Sequence, residues 1–130
     1  MSKSRQWEKS AEALRYRVMA SPLTVPTAIE FLESDPWFHG SGYIKANLIK
    51  FINRQELKPD WSKRLQKVVL AAVDREDRRE FRSYCRLAHK LCSEHLRSEL
   101  TRRMEVKDEG VSRRARWMLE YLKNDDHAKR

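Results

Sequence analysis

The chain has 130 residues, with 28 Lys and Arg against 19 Asp and Glu, a formal net charge of +9, and only 3 Gly, 4 Pro and 2 Cys. That length supports one core rather than two enzymatic lobes, and an apolar share of 40% is enough to collapse a chain that is 36% charged, which excludes wholesale disorder. So few glycines exclude a turn-rich β-sandwich or barrel and a nucleotide-binding fold built on a Gly-rich loop, leaving an all-α class.

In chain order, Trp7, Ala11, Leu14 and Val18 recur on one face and predict a first helix over residues 4–20, stopped by Ser21-Pro22. Pro26 and Thr27 suit the start of a short second helix through Ala28, Ile29, Phe31 and Leu32, ended by Asp35-Pro36. Trp37-Phe38-His39-Gly40-Ser41-Gly42 follows as the most distinctive loop, with two of the three glycines. A third helix is predicted from Tyr43 to Gln55, with Ile44, Leu48, Phe51 and Ile52 toward the core and Lys45 and Lys50 outside. Asp60 is placed to cap a fourth helix, Trp61 to Val73, whose apolar residues cover most of its circumference and predict a central position.

Asp77-Arg78-Arg79-Glu80 resembles a capping box opening a fifth helix through Phe81, Tyr84, Cys85, Ala88, Cys92 and Leu96, running to Met104 or interrupted near Ser93. Glu109-Gly110 closes that stretch. A last helix from Ser112 turns Val111, Ala115, Leu119 and Leu122 inward, and residues 125–130 form a polar, frayed tail after a single all-α domain over 1–124. Five or six short antiparallel helices make a compact bundle or a small helical-repeat arrangement. The longest apolar run, Val68 to Val73, is far short of the ~20 residues a bilayer span requires, and no secretory pattern opens the chain, so a cytoplasmic protein with no membrane partner is the expectation.

The stretch Asp108-Glu109-Gly110-Val111-Ser112-Arg113-Arg114-Ala115, continuing to Leu119, resembles the inner-helix pattern of HEAT-type repeats, in which Asp, then Val and Arg, then Ala and Leu recur. Its Arg is displaced by one position. The resemblance implies a HEAT-like or armadillo-like interaction scaffold, a class in which some members bind DNA on a basic concave face, and it implies no catalytic residues and no cofactor.

Cys85, His89, Cys92 and His95 invite a zinc reading, but on a straight helix Cys85 and His95 stand about 15 Å apart while four ligands must lie within ~2.3 Å of one ion. Cys85, His89 and Cys92 share one face, and the Cys85–His89 pair at four-residue spacing supplies two ligands, with a distant His39 or a carboxylate needed for the rest, or else a nucleophile and base without a pocket or oxyanion site. Packing of the small, soft cysteines in the core, with His89 at its edge, is the simpler account. No Ser-His-Asp arrangement, H-E-x-x-H or phosphate-cradling G-x-x-x-x-G-K is present, so no catalytic residue is assigned.

Charge is uneven. Residues 61–104 hold 12 basic and 6 acidic side chains, a surplus of +6, whereas residues 26–60 hold 4 and 5. At 100° per residue Arg79, Arg82, Arg86, Lys90 and Arg97 fall within about 80° of one another, a ridge suited to following a phosphate backbone or another acidic partner. Neutralisation by Glu30, Glu33 or Glu56 across a helix boundary is the competing expectation. Two further features stand beside the ridge. Trp117 and Tyr121, flanked by Arg113 and Arg116, lie away from the inward face of the last helix and suit a protein contact or homodimer more than base stacking. Gly40, Ser41 and Gly42 precede a helix, where free N–H groups can hold an anion, although an aromatic plug of Trp37 and Phe38 fits the same segment.

Overall fold

A computed structural model describes residues 24–36, 40–75 and 77–123. The expected helix over 4–20, the Trp37-Phe38-His39 part of the aromatic loop and the tail 125–130 lie outside the described residues. Those described form six α-helices: α1 (Val25–Ser34), α2 (Ser41–Asn53), α3 (Pro59–Asp74), α4 (Phe81–Lys90), α5 (Glu94–Met104) and α6 (Glu109–Lys123), so the all-α expectation holds.

Each boundary has a local cause. Thr24 caps α1 by accepting the Thr27 N–H, and Pro26 sits in its first turn, where no donor is lost. Asp35 ends α1 in the left-handed region at φ 47°, a conformation Asp tolerates better than most residues, and its N–H reaches the Phe31 and Leu32 carbonyls. Gly40, at φ 85°, turns the chain into α2 at Ser41, two residues ahead of the expected start. α3 opens on Pro59 after Lys58, so Asp60 lies in the first turn, favourable to the helix dipole, rather than capping it.

Asp77 does not cap α4 either. That helix begins at Phe81, no side chain caps it, and Asp77 is drawn away by two arginines of α6. The interruption near Ser93 is present: Leu91 closes α4, and the Ser93 hydroxyl accepts the Leu96 N–H to start α5 as a separate helix. α6 starts three residues before the expected Ser112 because the Asp108 carboxylate accepts the Val111 N–H, which places Gly110 inside the helix.

α3 is the central element, packed against α1, α4, α5 and α6. Leu65, Val68, Val69, Leu70, Ala72 and Val73 are its buried residues, and they join Phe31, Ile49, Leu87, Leu96, Leu100 and Met118 in one core. α4 packs between α2 and α6 as well as on α3, and α5 pairs with α6. Val111, Ala115, Leu119 and Leu122 of α6 are buried as their spacing requires.

One helix face departs from its pattern. Lys45, expected outside, is 0% exposed, while Ile44 and Phe51 are only partly buried. Its ammonium lies 2.7 Å from Asp35 Oδ1 and 3.5 Å from Glu80 Oε2. A buried ammonium is tolerated because those two carboxylates replace its water. Removing it leaves Glu80 buried without its nearer cation. Lys45→Ala is therefore expected to lower stability by about 3 kcal/mol, read as a shift of the urea midpoint at unchanged slope.

Candidate functional site

The cations of the described residues include two contrasting sets. The first set is consumed within the fold. The Asp35 carboxylate gathers Lys45, Arg75 at 2.6 Å and Arg78 at 2.9 Å. Arg64 forks onto Glu33 of α1 at 2.6 and 2.9 Å, and Arg103 of α5 onto Asp74 at the end of α3 at 2.8 and 3.1 Å. Arg114, nearly buried, donates to the Val73 carbonyl at 2.8 Å and to Asp77 at 2.6 Å, while Arg113 takes the other Asp77 oxygen at 2.6 Å. The segment 74–80 thus binds α1, α2, α5 and α6 through its own charges. Tyr84, buried beneath, stays protonated because burial pushes its hydroxyl far up.

The second set is free of these pairs. Arg79, Arg82, Arg86 and Lys90 are exposed and take part in no ion pair among the described residues. Neutralisation by Glu33 is thereby accounted for: that carboxylate is engaged by Arg64. Arg82, Arg86 and Lys90 follow one another at four-residue spacing along α4, so their heads project from one strip. Arg79 stands in the turn just before the helix. Arg97 belongs to α5 and does not continue the α4 axis, but its guanidinium donates to the Cys92 sulfur at 3.2 Å, which holds it at the far end of the strip. The single-helix ridge is thus a strip on α4 with one cation added at each end.

Aromatic rings border this strip. Phe81, Cys85 and His89 form the adjacent edge of α4 and pack toward α6, where Phe81 meets Trp117 with ring centroids 6.4 Å apart and His89 meets Tyr121 edge-on at 6.2 Å. Tyr121 is half-buried against the core, so it does not present the free surface its helix position suggested. Trp117 is 48% exposed, with Arg113 held over its ring at 5.3 Å. Arg116 is exposed one residue before it. On the opposite side of α4, a groove of about 640 Å³ runs between the start of α2 and the 77–83 segment, lined by Tyr43, Arg79, Glu80 and Ser83 among others. Tyr43 is 72% exposed there.

The Gly40-Ser41-Gly42 turn opens onto that groove, but its helix terminus already faces a carboxylate. A Cβ on Gly42 would stand 3.2 Å from Glu80 Oε1. Glu80 therefore supplies negative charge beside the amino end of α2, which weakens the case for a second anion at these backbone donors.

Cys85 is buried and Cys92 exposed, so the two do not share the core. Burial pushes the Cys85 thiol up to about 12 in spite of the nearby Arg82, the reverse of what a nucleophile needs. Among the described residues no three His, Cys, Asp or Glu side chains come together to hold a metal ion, and no described helix is long and apolar enough to cross a membrane. Comparison with protein families, curated proteins and solved structures finds no match to this chain.

Two expectations follow from these environments. A maleimide reagent at about pH 8 should label Cys92 rapidly in the native protein and Cys85 only after denaturation, read by mass spectrometry of the two peptides; rapid native labelling of Cys85 would contradict its burial. Arg114, then Arg113, hold the Asp77 carboxyl below its ordinary range, and Arg64 and Arg103 do the same for Glu33 and Glu99 respectively. Lowered folded-state values stabilise the fold above the ordinary carboxylate range, and that stabilisation is lost as pH falls through the lowered values. Thermal unfolding should therefore move to lower temperature as pH drops below about 4, with a smaller acid-dependent drop in Asp77→Asn, which starts less stable at neutral pH.

Proposed function

We propose that this chain is a non-catalytic helical binding module that engages a polyanion, nucleic acid, through Arg79, Arg82, Arg86 and Lys90, with Arg97 at the end of the strip. The observation that carries the reading is the division of cations. Arginines that brace the fold are each matched to a carboxylate, whereas Arg82, Arg86 and Lys90 along α4, with Arg79 in the turn before it, are exposed and have no ion pair among the described residues. A run of unpaired guanidinium groups on a rigid helix offers several forked donors to phosphate oxygens without further ordering of the backbone. Phosphate contacts of this kind confer affinity and register, not sequence specificity. The HEAT-like helical-repeat arrangement belongs to the same proposal and is supported by the packing of α1 on α2, α3 on α4 and α5 on α6.

A second reading, a protein-interaction scaffold that uses α6 without binding nucleic acid, with a homodimer as one form of it, is favoured by Trp117, half exposed beside Arg113 and Arg116, since Trp and Arg are enriched where partners bind. The two readings part on salt. For nucleic acid, the logarithm of affinity should fall linearly with the logarithm of salt concentration, with a slope of about −2 to −4 for three to five phosphate contacts. Arg82→Glu combined with Arg86→Glu should reduce binding by more than about tenfold and flatten that slope, with the urea midpoint unchanged because neither residue is paired within the fold. Fluorescence anisotropy at several salt concentrations measures both. No binding to strand or duplex at low salt, together with a concentration-dependent dimer in sedimentation, would replace the first reading by the second.

A further inference from the structure

We infer that the strip selects single-stranded over double-stranded nucleic acid, with Trp117 and Tyr43 as base-stacking positions on its two sides. The inference rests on the nucleic-acid reading above and adds which form of the polymer is bound.

Three large apolar side chains are exposed among the described residues: Tyr43, Val106 and Trp117. Two of these three border the same end of the same cationic strip. At 100° per residue around α4, Phe81 and Cys85 point toward α6, Ser83 points toward the start of α2, and Arg82 and Arg86 project between them. The contacts agree with that arrangement. Phe81 touches Trp117, Ser83 shares its groove with Tyr43, and Arg79 lines that groove at the amino end of α4. A cation row with an aromatic ring on either flank is the combination that binds an unpaired strand: phosphates follow the guanidinium groups, while splayed bases lay their faces on the rings. In a duplex the base faces are already stacked on one another, and the rings have nothing to receive. Arg82, Arg86 and Lys90 also make a single exposed line along α4, suited to one backbone.

Two acidic groups beside this surface already have cationic partners. Asp77, itself exposed, pairs with Arg113 and Arg114, and Glu80 is buried against Lys45. Arg113 lies over the Trp117 ring and itself pairs with Asp77.

The test compares fluorescein-labelled oligothymidylate and oligouridylate strands with a duplex of equal length, by anisotropy at one salt concentration, for the full chain and for Trp117→Ala, Tyr43→Ala and Arg82→Glu/Arg86→Glu. The wild type should bind either strand at least about tenfold more tightly than the duplex. Each aromatic variant should lose roughly 5- to 100-fold for the strands, with duplex affinity and salt slope unchanged, and Trp117→Phe should recover most of the loss. The charge-reversal variant should lose strand and duplex alike. Equal or tighter duplex binding, or aromatic variants that leave strand affinity intact or weaken both forms equally, overturns the stacking inference and leaves the polyanion reading standing. Failure of every probe to bind at low salt overturns both. Circular dichroism and the urea midpoint identify any variant that has lost its fold, in which case Trp117→Leu and Tyr43→Leu, which keep an apolar body without a ring, make the same comparison.

Discussion

The Asp35 carboxylate is the point on which the arrangement of helices turns. It sits at the left-handed end of α1 and receives Lys45 from α2, Arg75 from the end of α3 and Arg78 from the turn leading to α4. One anion thus ties together four consecutive parts of the chain. Three cations around one carboxylate would repel one another if left alone, and Glu80, reaching Lys45 from the far side, supplies the second negative charge. Such a cluster is stabilising only when its members are matched, because an uncompensated buried charge is costly. It is also directional, which apolar packing is not. α3 alone would pack its greasy circumference in many ways; the charges around it permit few.

Much of this was legible in the residues and some of it was not. Apolar spacing locates α1, α3 and the inward face of α6, because those helices bury what their period predicts. Asp35-Pro36 ends α1 where expected, although Asp35 closes it in the left-handed region rather than in the extended backbone a following proline favours. The failures share a cause. Lys45 on an amphipathic helix looks like a surface residue, and nothing nearby in the chain announces that Asp35, ten positions earlier, and Glu80, thirty-five later, will meet it. Asp60 and Asp77 have the composition of helix caps, yet one lies past the cap position and the other is claimed by Arg113 and Arg114 of a distant helix. Local preference is worth about 1 kcal/mol at a cap, and a pair of charged hydrogen bonds outweighs it.

The candidate surface shows the same division. Counting charges by segment places the excess between residues 61 and 104 but cannot separate an arginine that braces two helices from one that faces water. Arg75, Arg78 and Arg103 belong to the first kind, Arg82 and Arg86 to the second, and all five have the same composition signature. The helical wheel did select unpaired cations, since a residue opposite an apolar face of α4 has no buried carboxylate to meet. It placed Arg97 on the wrong helix because the Ser93 cap breaks the axis. The flanking role of Tyr43 had no sequence signal, as it depends on α2 lying beside α4.

The contact between Asp77 and Arg113 has an effect that reaches past the two residues. Asp77 remains ionised well below neutral pH because Arg114 and Arg113 favour its charged form. Arg113 therefore faces an ionised carboxylate throughout the physiological range while it lies over the Trp117 ring. The surroundings of an exposed ring on α6 are thus shaped by a carboxylate that lies far earlier in the chain, between α3 and α4.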